Sequence, residues 1–132
     1  MLRKARLDDI EEIQKLIQDN IDKLLPRTND ELRELIEFFW VVEESDRIVG
    51  CCCLEVYSPK IAELRSLAVH EDCRGKGYGE ILVKAAVDEA QRQKIRQILV
   101  VTSTRAFFEK LNFGACLNEK YALFWMGDSD PA

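Results

Sequence analysis

Hydrophobic positions along the chain change period several times, and each change marks an element. Met1 to Ala5 reads as a short first strand. Ile10, Ile13, Ile17, Ile21 and Leu24 recur at helical spacing and predict a helix that ends at Pro26, with Asp8-Asp9-Ile10-Glu11 as a capping box at its start. Thr28 to Glu31 forms a second capping box, opening a short helix through Ile36. Phe38 to Glu43 and Arg47 to Tyr57 read as strands joined by a hairpin turn at Glu44-Ser45-Asp46. Ser58-Pro59-Lys60 turns the chain again into a strand from Ile61 to Val69. An amphipathic helix starting near Ile81 carries Ile81, Leu82, Ala85, Ala86 and Ala90 on one face. Ile98 to Val101 predicts a buried strand, Arg105 to Leu111 a short helix and Tyr121 to Met126 a last strand, with a frayed tail from Gly127 to Ala132.

This order, βααβββαβαβ, does not suit a doubly wound parallel sheet. It predicts an α/β (α+β) fold: a mixed central sheet of about six to seven strands, antiparallel in its first half, with helices on both faces. The 132 residues fit a single domain, 1–132, with no repeat or linker.

Composition narrows the function. At 47% hydrophobic and 33% charged residues the chain is an ordinary globule. A net charge of −5 with scattered basic residues argues against broad nucleic-acid binding. No apolar run approaches the ~20 residues of a membrane span, and Met1-Leu2-Arg3-Lys4 lacks the apolar core of a signal peptide, so a cytoplasmic location is expected. Of five cysteines, Cys51, Cys52 and Cys53 are consecutive in a strand and point to alternate faces, so they read as small core residues. With His70 the only histidine, and placed in a turn, no metal site is expected.

The richest segment chemically is Arg74-Gly75-Lys76-Gly77-Tyr78-Gly79, between the apolar run Leu67-Ala68-Val69 and the helix after it. A glycine-rich turn feeding a helix N-terminus aims backbone N–H groups and the positive end of the helix dipole at one spot, a cradle for pyrophosphate. Glu80 follows the last glycine where a Walker loop needs Lys-Ser or Lys-Thr, and glycines at 75, 77 and 79 miss the dinucleotide spacing.

Arg74-x-x-Gly77-x-Gly79 after a strand resembles the acetyl-CoA loop of the GNAT N-acetyltransferase superfamily. Ala62 to Val69 before it and Ala106 to Gly114 after it extend the resemblance. Within the superfamily the chain is most similar to the short N-acetylglutamate-synthase-like members, through Leu24-Leu25-Pro26-Arg27-Thr28, Ile48-Val49-Gly50-Cys51-Cys52, Ala62 to Val69, and Thr102 with Phe107-Phe108. It departs from many of them in stopping soon after the last strand, without a further cysteine-containing tail.

The resemblance implies acetyl transfer from acetyl-CoA to an amine, with the loop on the pyrophosphate. It implies a bulge at Leu67, Ala68 and Val69 whose backbone meets the pantetheine arm, and Phe107 and Phe108 packed along the CoA chain. It makes Glu63 the general base; otherwise Glu63 is a solvated strand residue. Arg65, two residues on and on the same face, either grips a substrate carboxylate or pairs with Glu63. Arg27 is a further carboxylate candidate whose plainer reading is a surface arginine. Where many family members carry a tyrosine to protonate the leaving thiolate, this chain has Phe108. Tyr121, Tyr57 or water then serves, or the thiolate leaves unassisted. The expected acceptor is a small-molecule amine such as glutamate. A protein-lysine acetyltransferase and a non-catalytic acyl-CoA-binding module are the alternatives, and a homodimer stays open.

Overall fold

The computed structural model describes residues 1–114 together with 123, 125 and 127. The elements are β1 (Leu2–Lys4), α1 (Ile10–Asp19), α2 (Asn29–Leu35), β2 (Phe39–Glu44), β3 (Arg47–Ser58), β4 (Ile61–Val69), α3 (Tyr78–Arg92), β5 (Gln97–Leu99) and α4 (Arg105–Glu109), with single 3-10 turns before α1, after α2 and after β4. Among the described residues the sheet has five strands in the order β1-β2-β3-β4-β5. The first four are antiparallel neighbours and β5 runs parallel to β4. This is the expected mixed sheet; the strand expected at Tyr121 to Met126 lies outside the described residues.

Alternation along the strands divides the core. Phe39, Val41, Cys51 and Cys53 face Ile13, Ile17 and Leu32 of α1 and α2. Trp40, Val42, Cys52 and Leu54 face Leu82, Val83 and Ala86 of α3, on the other side. Each layer therefore buries one apolar stripe of a helix on one face of the sheet. The three cysteines alternate as expected and are fully buried. Burial pushes the Cys51 and Cys53 thiols up to about 12, so they are inert structural residues at neutral pH.

A two-residue turn starts the β2–β3 ladder, whose register then shifts by one between Val42 and Glu43. Ser45 and Asp46 both have positive φ (53° and 63°), the conformation a twisted hairpin favours, and they pair Glu44 with Arg47. At the start of α2 the expected capping box is present: Glu31 N–H donates to Thr28 Oγ1 at 3.1 Å and Thr28 N–H to Glu31 Oε1 at 3.2 Å.

The first helix differs from expectation at both ends. Its entry is held by Asp9, whose carboxylate accepts from Arg6 N–H at 2.7 Å and from Arg3 at 2.8 and 3.0 Å. Its exit is at Asp19, well before Pro26, because Asn20 closes the last turn: its side-chain N–H donates to Leu16 O at 2.8 Å. Ile21 and Leu25, beyond that stop, are exposed. The helix after the glycine loop starts three residues before Ile81, and Ile81 itself is exposed while Val83 takes a core position. The strand expected to be buried at Ile98 to Val101 is the shorter β5, half-exposed, with Val101 in solvent.

Candidate active site

Strand β4 carries the site, and its irregularity organises it. On β3, Cys51 pairs with Ala68 and Cys53 with Arg65, so two steps on β3 match three on β4. The extra residue is a bulge at Ser66, which has φ 56°. Sequence reasoning placed this bulge at Leu67 to Val69; the backbone break begins one residue earlier. Positive φ at a non-glycine residue is uncommon, and here the Ser66 hydroxyl accepts a 2.7 Å bond from Arg27 Nε. The bulge leaves part of the β4 backbone outside the ladder and shifts the alternation, so Leu67 and Val69 turn toward α3 and Ala68 toward α1.

A charged cluster assembles on the α1 and α2 face of that bulge. Arg27 is buried, at 6% exposure, and so is not the surface arginine its position suggested. Its Nη1 donates to Glu55 Oε1 at 3.3 Å and its carbonyl is held by Gln14 at 2.7 Å. Its Nη2 is buried with no hydrogen-bond partner among the described residues. Arg65 pairs with Glu55 at 3.1 Å, so Glu55 takes the place that sequence reasoning gave to Glu63. Glu55 lies directly opposite Glu63 in the β3–β4 ladder. Two carboxylates in that position repel. Tyr57 relieves this: its hydroxyl sits 2.6 Å from Glu63 Oε1 and 2.9 Å from Glu55 Oε2.

The ionisation states follow from these contacts. Burial pushes the Glu55 carboxyl up, but hydrogen bonds from Tyr57 and Arg65 and the charges of Arg27 and Arg65 outweigh it and hold it below the usual range. Burial and the two facing carboxylates raise the Tyr57 phenol, which stays protonated.

The glycine loop has the expected geometry. Gly75 and Gly77 have φ of 82° and 83°, and Gly77 caps α3 with no side-chain hydrogen bond to the first-turn N–H groups among the described residues. Gly79 packs against Phe107; a Cβ there would meet the Phe107 ring at 3.2 Å. Phe107 meets Phe108 edge to face at 5.0 Å, and Phe108 is buried in the α3 core rather than lying on a surface. Thr102 is exposed after β5 and accepts from Thr104 N–H at 2.9 Å.

The basic residues of the loop are occupied by protein partners. Arg74 donates to Asn20 Oδ1 at 2.9 Å. Lys76 pairs with Glu44 at 3.2 Å, and Tyr78 donates to the same carboxylate. The Tyr78 hydrogen bond, then the Lys76 contact, hold Glu44 below the usual carboxylate range. A pyrophosphate at this loop would compete with the Glu44 carboxylate for Lys76. Glu44→Gln is therefore expected to tighten CoA binding by about two- to five-fold in low salt, with the gain fading as salt rises. Calorimetric titration at two ionic strengths checks this; weaker binding in the variant makes Glu44 a support of the loop instead.

Sequence reasoning missed Glu55 and Ser66, and took Tyr57 only as a candidate proton donor to the leaving thiolate. Glu55 was accessible, because counting outward from Ser58-Pro59-Lys60 as a three-residue turn pairs Val56 with Ala62 and Glu55 with Glu63, although Ser58 itself pairs with Ile61 and Tyr57 is the extra residue of a second irregularity. Ser66 was not, since nothing in a serine announces a positive φ.

The acetyltransferase (GNAT) family model matches residues 6–113. The amino-acid acetyltransferase of Mycobacterium tuberculosis is 30% identical over 117 residues, covering 86% of this chain and 67% of that one. A solved Mycobacterium tuberculosis protein in complex with CoA matches at a TM-score of 0.82 and 28% identity, over 85% of this chain and 70% of that one. N-acetylglutamate synthase from Neisseria gonorrhoeae, complexed with coenzyme A and N-acetyl-glutamate, matches at 0.77 and 25% identity, over 85% of this chain and 27% of the synthase.

With that sheet, bulge and loop in place, the chain belongs to the GNAT acetyltransferase family. It is an N-acetyltransferase with acetyl-CoA as donor, as the glycine loop led us to expect. No helix among the described residues is long and apolar enough to cross a membrane.

Proposed function

We propose that this protein acetylates the amine of a small amino acid, glutamate or a close relative, whose carboxylate is held by Arg27 and Arg65. The observation that carries this reading is the unpartnered Nη2 of buried Arg27, beside Arg65 and on the same face as Glu63. A buried guanidinium N–H without an acceptor is costly, and with Nε on Ser66 and Nη1 on Glu55, Nη2 is the nitrogen that can give a carboxylate oxygen a charge-assisted contact beside Arg65. The cytoplasm is the location that suits its buried, reduced thiols.

The residues divide the work. Arg74 to Gly79 hold the pyrophosphate of the donor, with Lys76 leaving Glu44 to do so. The backbone of Leu67, Ala68 and Val69, beyond the residues that β5 pairs with, meets the pantetheine arm on that edge, and Phe107 backed by Phe108 walls it, with Thr102 at the rim. One N–H of this segment stabilises the oxyanion on the thioester carbon. Glu63, directly or through water, takes a proton from the acceptor's ammonium. The amine then forms the C–N bond as the C–S bond breaks, and the thiolate leaves. Tyr57, one candidate for protonating that thiolate, has its hydroxyl engaged by Glu55 and Glu63. Tyr121 lies outside the described residues.

Free-thiol release with a panel of acceptors tests the proposal. Glutamate is expected to exceed its decarboxylated amine by roughly 10- to 100-fold in kcat/KM, the value of one charge-assisted bidentate contact. Arg65→Lys should weaken acids selectively, since an ammonium cannot reproduce the fork. Polyamines or lysine-rich peptides as the best acceptors, with a silent Arg65→Lys, would replace this reading by a protein-lysine one.

A further inference from the structure

The contacts of Tyr57 do not balance if both carboxylates around it are ionised. A phenol has one proton, and an ionised carboxylate only accepts. At 2.6 Å from Glu63 and 2.9 Å from Glu55, the hydroxyl can donate to one of them and must turn a lone pair toward the other. One further proton completes the set. If Glu63 carries it, Glu63 donates to the Tyr57 oxygen and Tyr57 donates to Glu55. Glu55 is the group that remains ionised, because Arg27 and Arg65 both donate to it.

We infer that Tyr57 is a positioning residue that, with Glu55, lets Glu63 keep the proton it takes from the acceptor amine. This rests on Glu63 as the base. The transfer breaks an N–H bond of the ammonium and forms an O–H bond on Glu63. Tyr57 gains and loses nothing: its own proton swings from Glu63 to Glu55. Afterwards Glu63 releases its proton to solvent and the hydroxyl swings back.

The charges facing this unit support the same state. Glu55 and Tyr57 come from β3, Glu63 and Arg65 from β4, and Arg27 from the connection between α1 and α2. On β5 the residue paired with Glu63 is the uncharged Leu99. Two guanidiniums and two ionised carboxylates leave the cluster neutral. The α-ammonium and α-carboxylate of an acceptor add no net charge, and moving the ammonium proton to Glu63 leaves the total unchanged while removing one of the two facing negative charges.

The test is Tyr57→Phe, a change at a half-exposed ring that keeps its packing. The rate at saturating acceptor is measured from pH 6 to 10 beside wild type, Glu63→Gln and the double variant. Tyr57→Phe should lower kcat by about ten-fold and move the acid limb of the profile to lower pH by about half to one unit. The Kd for acetyl-CoA should not change, and the double variant should be no slower than Glu63→Gln alone. A lower kcat with an unmoved limb, or a limb moved upward, overturns the inference and leaves Glu63 as the base. Normal turnover by Glu63→Gln removes the base and this unit together.

Discussion

Glu63→Gln is expected to lower kcat by roughly 10²-fold or more near neutral pH, without changing acetyl-CoA affinity. The amide keeps the shape of the side chain, and its oxygen still accepts the Tyr57 hydrogen bond, 2.6 Å long in the native protein. What it loses is the capacity to take a proton. An α-ammonium is mostly protonated at pH 7 and cannot attack a thioester in that form. The deficit should therefore shrink as pH rises toward the pKa of the acceptor amine, where the nucleophile is already free. A rate profile from pH 7 to 10 measures this. Near-normal turnover at pH 7 would make Glu63 a strand residue whose role is to hold Tyr57.

Gly77→Val should abolish the stabilisation that acetyl-CoA and CoA give in thermal unfolding. At φ 83° a non-glycine residue costs about 1–2 kcal/mol, and a β-branched one more, so the loop relaxes away from the conformation that aims its N–H groups. No atom of the described residues lies within 4 Å of a Cβ at this position, so crowding among them is not the cause. The fold should survive with a lower Tm, and CoA affinity should fall about 100-fold through one or two lost charge-assisted bonds. In wild type, pantetheine without its phosphates should stabilise far less than CoA, by linkage. Equal stabilisation by ATP or NAD, or retained CoA affinity in the variant, would remove the loop from the cofactor site.

The sheet and both helix layers were legible because period and turn chemistry agree along most of the chain. Val41 and Trp40, or Cys51 and Cys52, alternate between layers as period 2 requires. Thr28 and Glu31 cap as their spacing says. Helix ends were less legible. Ile21 and Leu24 continue the helical period past Asn20, yet the chain leaves the helix there because a side-chain amide closes it. Pattern reports where an apolar stripe is compatible with helix, and a local polar bond decides where it stops. The glycine loop was the most legible part of the site, since positive φ has few residue types to choose from. The acceptor side was less so. Arg27 is far from Glu55 and Ser66 in sequence, and its burial depends on a tertiary contact that no local pattern encodes.

The bulge at Ser66 also sets how densely one strand can furnish a site. A regular strand delivers a side chain to a given face once every two residues, so four consecutive positions supply two groups. Between Glu63 and Ser66 this strand supplies three, because Arg65 and Ser66 are sequence neighbours that both reach the Arg27–Glu55 pair. The added residue acts as a phase shift in the chain. Before it, odd-numbered side chains lie on the α1 and α2 face; after it, even-numbered ones do. A deletion of one residue here would thus invert the sidedness of everything from Leu67 to Val69 while leaving Glu63 where it is, separating the proposed base from the proposed donor contacts in a single genetic step.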